Sequence, residues 1–296
     1  MASVGTTPTA PPRAAAVVSL LLVTALFGVL FFPTFVRLAE LWRKDPNYSH
    51  GFLIPPICLF LAVRHIRREG WPVEGQLPLG AINLLAGCLV HLAAQVVGWP
   101  PLDFLGLVFV LRGLALAAGG RQWAAGLTFP ILFLFFMFPL PVTWTGYVAL
   151  WLQDWVSRIS GVILDLFFVC HQRGTALFIA GIPEPLVVAE ECSGLRQIVV
   201  FFALGVLLGY LSQKPMLFRI LLALASVPVA LLANVARVVL MGTGAAYFGT
   251  DWFHGWLHDM PALFSVPFGL LMFLLVWRLL CGIWPDAPAK GGTACS

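Results

Sequence analysis

Apolar runs at about 14–36, 50–64, 79–98, 102–118, 122–141, 194–211, 217–240 and 261–282 dominate this chain. Each reaches or approaches the roughly 20 residues needed to cross about 30 Å of hydrocarbon. They predict an all-α polytopic membrane protein of about eight transmembrane helices. A composition that is 60% apolar, with 24 Phe and 11 Trp among 296 residues, cannot clothe a soluble globule in polar surface. The division that follows is a disordered Thr/Pro/Ala-rich tail at 1–13, a single transmembrane domain at 14–284 and a short cytoplasmic tail at 285–296. The first apolar run has no small-residue cleavage site, so it is expected to stay as a span. The net charge of +4 comes from scattered Lys and Arg with no basic stripe, which excludes nucleic acid as a partner. Cysteines 58, 88, 170, 192, 281 and 295 show no CxxC or other metal-ligand spacing and form no disulfide framework.

One segment departs from the pattern. Between 144 and 169, Trp144, Val148, Trp151, Trp155, Ile159, Val162 and Leu166 recur at steps of three and four, while Gln153, Asp154, Ser157, Arg158 and Asp165 fall elsewhere. This is an amphipathic helix expected to lie in the membrane interface rather than cross it. The choice sets the topology. With eight crossings and 144–169 lying flat, Arg13, Arg64, Arg67, Arg68, Arg121, Lys214, Arg219, Arg278 and Lys290 collect on one side, which is therefore cytoplasmic. If 144–169 crossed, Lys214, Arg219, Arg278 and Lys290 would move outside. After this helix, 175–180 and 186–189 read as two extended pieces around the turn Gly-Ile-Pro-Glu-Pro185, forming a small extracytoplasmic cap. Gly205 and Gly209 then make a GxxxG that permits close approach of a neighbouring helix.

Chemistry concentrates in Glu190-Glu191-Cys192-Ser193-Gly194-Leu195-Arg196-Gln197, in a chain only 10% charged. Ionisable groups beside apolar spans are costly and commonly line a cavity or serve chemistry. Three further clusters reach the same outer face in the eight-span topology. Asn234 and Arg237 stand i, i+3 near the outer end of the seventh span. The loop 251–259 carries His254 and His258, and Asp45-Pro-Asn-Tyr-Ser-His50-Gly51 opens the second span. A thiolate nucleophile, a guanidinium for the oxyanion and a His to move protons suffice for acyl transfer. Blander readings stand beside this one. Cys192 is filler at a span end, Arg237 snorkels, Glu190 and Glu191 are solvated or hold an Arg, and His50 helps bind zinc with other His and Cys. A transporter or lipid-binding site built from Arg237, His258 and Glu190, and a redox pair of Cys170 with Cys192, are the alternatives from other classes.

Glu-Cys-Ser-Gly-Leu-Arg at 191–196, Asn-x-x-Arg at 234–237, a His some twenty residues on, and Asn-Tyr-Ser-His-Gly followed by Leu-Ile-Pro at 47–55 resemble the exosortase/archaeosortase family. The resemblance runs from about 40 to 282. It implies a multi-pass cysteine transpeptidase of the inner (plasma) membrane with its site on the extracytoplasmic face and membrane lipids around it. Such an enzyme cleaves C-terminal tripartite sorting signals (short motif, transmembrane helix, basic tail) of exported proteins and transfers them to an envelope acceptor, without metal or organic cofactor. By position, Cys192 resembles the nucleophile, Arg237 the essential Arg and His258 the His of the triad. Glu190, Ser193, Arg196, Asn234, His254 and His50 would support them. Ala262 stands where the family more often has Gly, four residues after the preferred His.

Overall fold

A computed structural model describes residues 13–70, 75–188, 193–212, 214–249 and 256–284. The expected tails therefore lie outside the described residues, except Arg13, which begins the first helix. The chain divides into two compact units, 1–132 and 133–296.

The first unit contains α1 (Arg13–Lys44), a 3-10 helix (Pro46–Leu53), α2 (Ile54–Glu69), α3 (Leu77–Val97) and α4 (Pro100–Gly126), with α5 (Thr128–Phe133) following. Pro55 and Pro56 stand in the first turn of α2. There a missing N–H costs nothing and the fixed φ favours the helix. The turn before it is pinned at both ends. Asp45 accepts the Asn47 N–H at 2.8 Å, and Gly51 lies so tightly beneath Trp42 that a Cβ would overlap the indole ring. Trp42 in turn meets Phe52 edge to face at 5.0 Å.

Helices α3 and α4 pack through glycine. Gly80 and Gly87 on α3 face Ala117 and Val110, while Gly106 and Gly113 on α4 face His91 and Leu84, all close enough that a Cβ would force movement. The pair is antiparallel, and its backbones nearly touch. Helix α4 breaks at Gly120, whose φ of +64° favours glycine. That break falls between the expected fourth and fifth spans, and the fifth continues in short pieces through α5 and a 3-10 turn at Leu134–Met137.

The second unit holds α6 (Val142–Asp165), strands β1 (Cys170–Arg173), β2 (Ala176–Ile179) and β3 (Leu186–Val187), then α7 (Leu195–Leu211), α8 (Met216–Phe248) and α9 (Trp256–Ile283). The strands form an antiparallel sheet in the order β1-β2-β3, with Cys170 opposite Ile179 and Leu177 opposite Leu186. β2 and β3 match the two extended pieces expected from sequence, whereas β1 was not foreseen. One core joins Val156 and Leu164 of α6, Leu177 and Ile179 of β2, and Val235 and Val238 of α8. Another joins Phe201 of α7, Phe218, Leu222 and Ala230 of α8, and Phe273 of α9. Gly205 and Gly209 of α7 lie against Ala223 and Arg219 of α8, the close approach their spacing predicts.

Helix α6 turns its aromatic stripe outward. Trp144, Trp151, Val162 and Leu166 are all at least 60% exposed, while Ala149, Leu152, Val156 and Leu164 face the core. Asp154 and Arg158 pair at 2.9 Å on the exposed surface, a costly feature for a helix crossing hydrocarbon and an ordinary one for a helix in the interface. Among the described residues six helices are long and apolar enough to cross a membrane: α1, α2 with its leading 3-10 turn, α3, α4, α8 and α9. The two remaining expected spans are shorter apolar helices, Thr128–Met137 and α7. The protein is an all-α polytopic membrane protein bearing a small sheet.

Candidate functional site

Cys192, Glu190, Glu191 and His254 lie outside the described residues. The site is therefore built from what flanks them. Gly194, with φ of +84°, is the left-handed residue that begins α7, and Ser193 before it is buried. The Ser193 hydroxyl accepts the Leu195 N–H at 3.3 Å, and the Gly194 carbonyl accepts the Ile198 N–H at 3.0 Å. This turn rests directly on α8. A Cβ at 194 would stand 3.0 Å from Asn234 Nδ2 and 3.1 Å from its Cβ and Cγ. The Gly205 and Gly209 contacts continue the same antiparallel register inward, so α7 is held against α8 along its length.

Asn234 is 1% exposed and Arg237, three residues on, is 8% exposed. Removing a guanidinium from water costs several kcal/mol, so its burial one turn from the Gly194 contact marks a polar interior at the head of α7. Arg196, partly buried, follows in the first turn of α7. The structure also ties α9 to this end of the unit, from the last residue of the octet to a serine that sequence reasoning did not single out. Gln197 Nε2 donates to Ser265 Oγ at 2.9 Å, and Ser265 is fully buried. Position 258 lies in the first turns of α9, not in a loop, seven residues and thus two turns ahead of Ser265.

Substituting Gly194 tests the turn. Gly194→Ala places a Cβ in a left-handed residue, a cost of roughly 1–2 kcal/mol, and pushes on Asn234 as well. Lower thermal stability in detergent with reduced turnover is expected, and wild-type values for both would contradict the tight seating of this turn.

His50 belongs to the first unit, in the pinned 3-10 turn, and is partly buried. The same unit holds a polar centre that sequence reasoning missed. Asp103, 7% exposed in the first turn of α4, accepts from Thr34 Oγ1 at 3.2 Å, Arg37 Nη2 at 3.1 Å and Gln95 Nε2 at 3.1 Å. His91 Nδ1 stands 2.9 Å from the same carboxylate, with Nε2 3.1 Å from the Leu30 carbonyl and the ring against Phe31. Asp103 in one apolar run, His91 and Gln95 four residues apart in the run before it, and Thr34 and Arg37 at i, i+3 were the available signals.

Cys170, opening β1, is a free and buried thiol whose N–H donates to Asp165 Oδ1 at 3.0 Å. Burial first, and then the Asp165 charge, push its thiol above the ordinary range, so at neutral pH it stays protonated and a poor nucleophile. Among the described residues no three His, Cys, Asp or Glu side chains gather as metal ligands.

Comparison with curated proteins returns no match, and comparison with solved structures returns none. A family model described as transmembrane exosortase matches residues 42–277. That match begins at the Trp42 that covers Gly51, includes the Ser193-Gly194 turn with Asn234 and Arg237, and ends in the last turns of α9. Most of both units thus falls inside it, and the chain belongs to the transmembrane exosortase family.

Proposed function

We propose that this protein is a cysteine protease/transpeptidase of the inner (plasma) membrane, working at the extracytoplasmic face on C-terminal sorting signals of exported proteins. The Cys192 thiolate attacks the carbonyl carbon of the scissile peptide, and Arg237 stabilises the oxyanion that forms. The C–N bond then breaks as His258 gives a proton to the departing amine, leaving the upstream protein as a thioester on Cys192. An amine or hydroxyl of the envelope acceptor attacks that thioester and passes its proton to His258. Water in place of the acceptor gives hydrolysis. Arg196 and Glu190 orient the reacting groups, Ser193 and Asn234 set the turn that carries the thiol, and His254 and His50 are supporting residues. The scheme uses no metal or organic cofactor.

The observation that carries this reading is the seating of the Ser193-Gly194 turn on Asn234. It brings the residues that directly follow Cys192 to within one helical turn of the buried Arg237. The test is to incubate the purified protein with a substrate bearing a tripartite tail in the presence of hydroxylamine. A thioester intermediate is expected to end as a hydroxamate at the new C-terminus of the cleaved substrate. Cleavage that yields no hydroxamate at any hydroxylamine concentration would remove the thioester from the mechanism.

A further inference from the structure

We infer that Gln197 is a substrate-contacting residue of this site, its side-chain carbonyl accepting a backbone N–H of the peptide being cleaved. The inference rests on the cysteine acyl-transfer reading above. Gln197 is the third residue of α7, and helical side chains lean toward the helix N-terminus, here the end that carries Ser193 and Cys192. One end of its carboxamide is fixed by the bond from Nε2 to the fully buried Ser265. The other end, Oε1, is buried and has no hydrogen-bond partner among the described residues.

A buried carbonyl left without a donor costs free energy, and native structures keep such groups rarely. An anchored amide with one open acceptor is preorganised for a ligand that brings a donor. Phosphate and carboxylate groups offer only acceptors, so a lipid phosphate does not suit it. An extended peptide offers an N–H at every residue. Fixing one of these beside the thiol would hold the scissile carbonyl in line for attack, the positioning that converts binding into rate.

The experiment compares wild type with Gln197→Leu on a set of substrates in which each backbone amide around the cleavage point is replaced in turn by an ester, which lacks the N–H. Gln197→Leu is expected to slow thioester formation on the normal substrate by about tenfold to a hundredfold. One ester position should slow the wild type by a similar factor and leave Gln197→Leu unaffected. Alkylation of Cys192 by a small thiol reagent should be the same in both, because that reaction uses no peptide N–H. If Gln197→Leu fails to fold, Gln197→Glu, which keeps an acceptor at both ends, takes its place and should retain the ester sensitivity of the wild type.

The inference is overturned if no ester position separates wild type from Gln197→Leu, or if Gln197→Leu forms the thioester normally. It is also overturned if the thioester forms and then accumulates in Gln197→Leu, since that would assign the donor to the acceptor molecule. Cys192→Ala processed as fast as wild type would sink the acyl-transfer reading itself. An inactive Cys192→Ala together with ester-insensitive wild type would sink only the role of Gln197.

Discussion

Cys192→Ala is expected to abolish both processing of a sorting-signal substrate and the hydroxylamine-sensitive adduct between substrate and enzyme. Loss of the nucleophile from a covalent mechanism removes on the order of 10⁴-fold or more of the rate, because the remaining groups of such a unit contribute little without it. The comparison discriminates between function classes. In a transporter or lipid-binding protein, Arg237, His258 and Glu190 would form the site and Cys192 would be a bystander, so Cys192→Ala would behave as wild type. Substrate mass and adduct formation, followed in membranes expressing either protein, decide between them. Because Cys170 is buried and protonated at neutral pH, it is not placed to substitute for the missing thiol. Residual activity in Cys192→Ala would therefore need a nucleophile other than Cys170.

The largest stability effect is expected at Asp103, far along the sequence from the proposed chemistry. Asp103→Ala removes the acceptor shared by Thr34, Arg37 and Gln95 and the carboxylate beside His91. Taking one partner from a buried ionic cluster costs about 3–5 kcal/mol when the remaining groups cannot reach water. Arg37, with a side chain 55% exposed, can turn outward, so the loss falls mainly on His91 and Gln95 and belongs near the lower end of that range. Asp103→Asn keeps an acceptor for these donors and should cost clearly less. Denaturant unfolding in detergent micelles measures both, and a loss under about 1 kcal/mol for Asp103→Ala would mean the cluster contributes little to holding α1 to α3 and α4.

How much of this could be read from the residues divides by range of interaction. The helices were legible because each apolar run carries its own signal, and the Gly119-Gly120 break shows in the gap between two runs. Gly205 and Gly209 announced a close neighbour, and α8 is that neighbour. The outward stripe of α6 followed from its three-four periodicity. What could not be read depends on partners distant in the chain. β1 consists of Cys-His-Gln-Arg, with no alternation of its own, and is a strand only because β2 lies beside it. Thr34, His91, Gln95 and Asp103 are isolated polar residues in three runs, and they meet because glycine lets α3 and α4 approach within backbone contact. Gln197 finds Ser265 across 68 positions. That Pro55 and Pro56 open α2 could not be read either, because a run of apolar residues does not reveal where its helix begins.

Helix α7 has only 17 residues, about 26 Å at 1.5 Å per residue, set against a hydrocarbon layer of about 30 Å. A span that is too short is met by thinning of the surrounding lipid, at a fraction of a kcal/mol for each ångström. If α7 crosses the bilayer, the Ser193-Gly194 turn at its head stands about 4 Å nearer the midplane than the end of a helix matched to the layer would. A peptide segment emerging from a full-length membrane anchor would then meet that turn below headgroup level unless the lipid thins there. The thickness of the host membrane thus becomes a variable of the chemistry: a thicker lipid sinks the turn further and raises the cost of reaching it, and a thinner one brings it level with the headgroups.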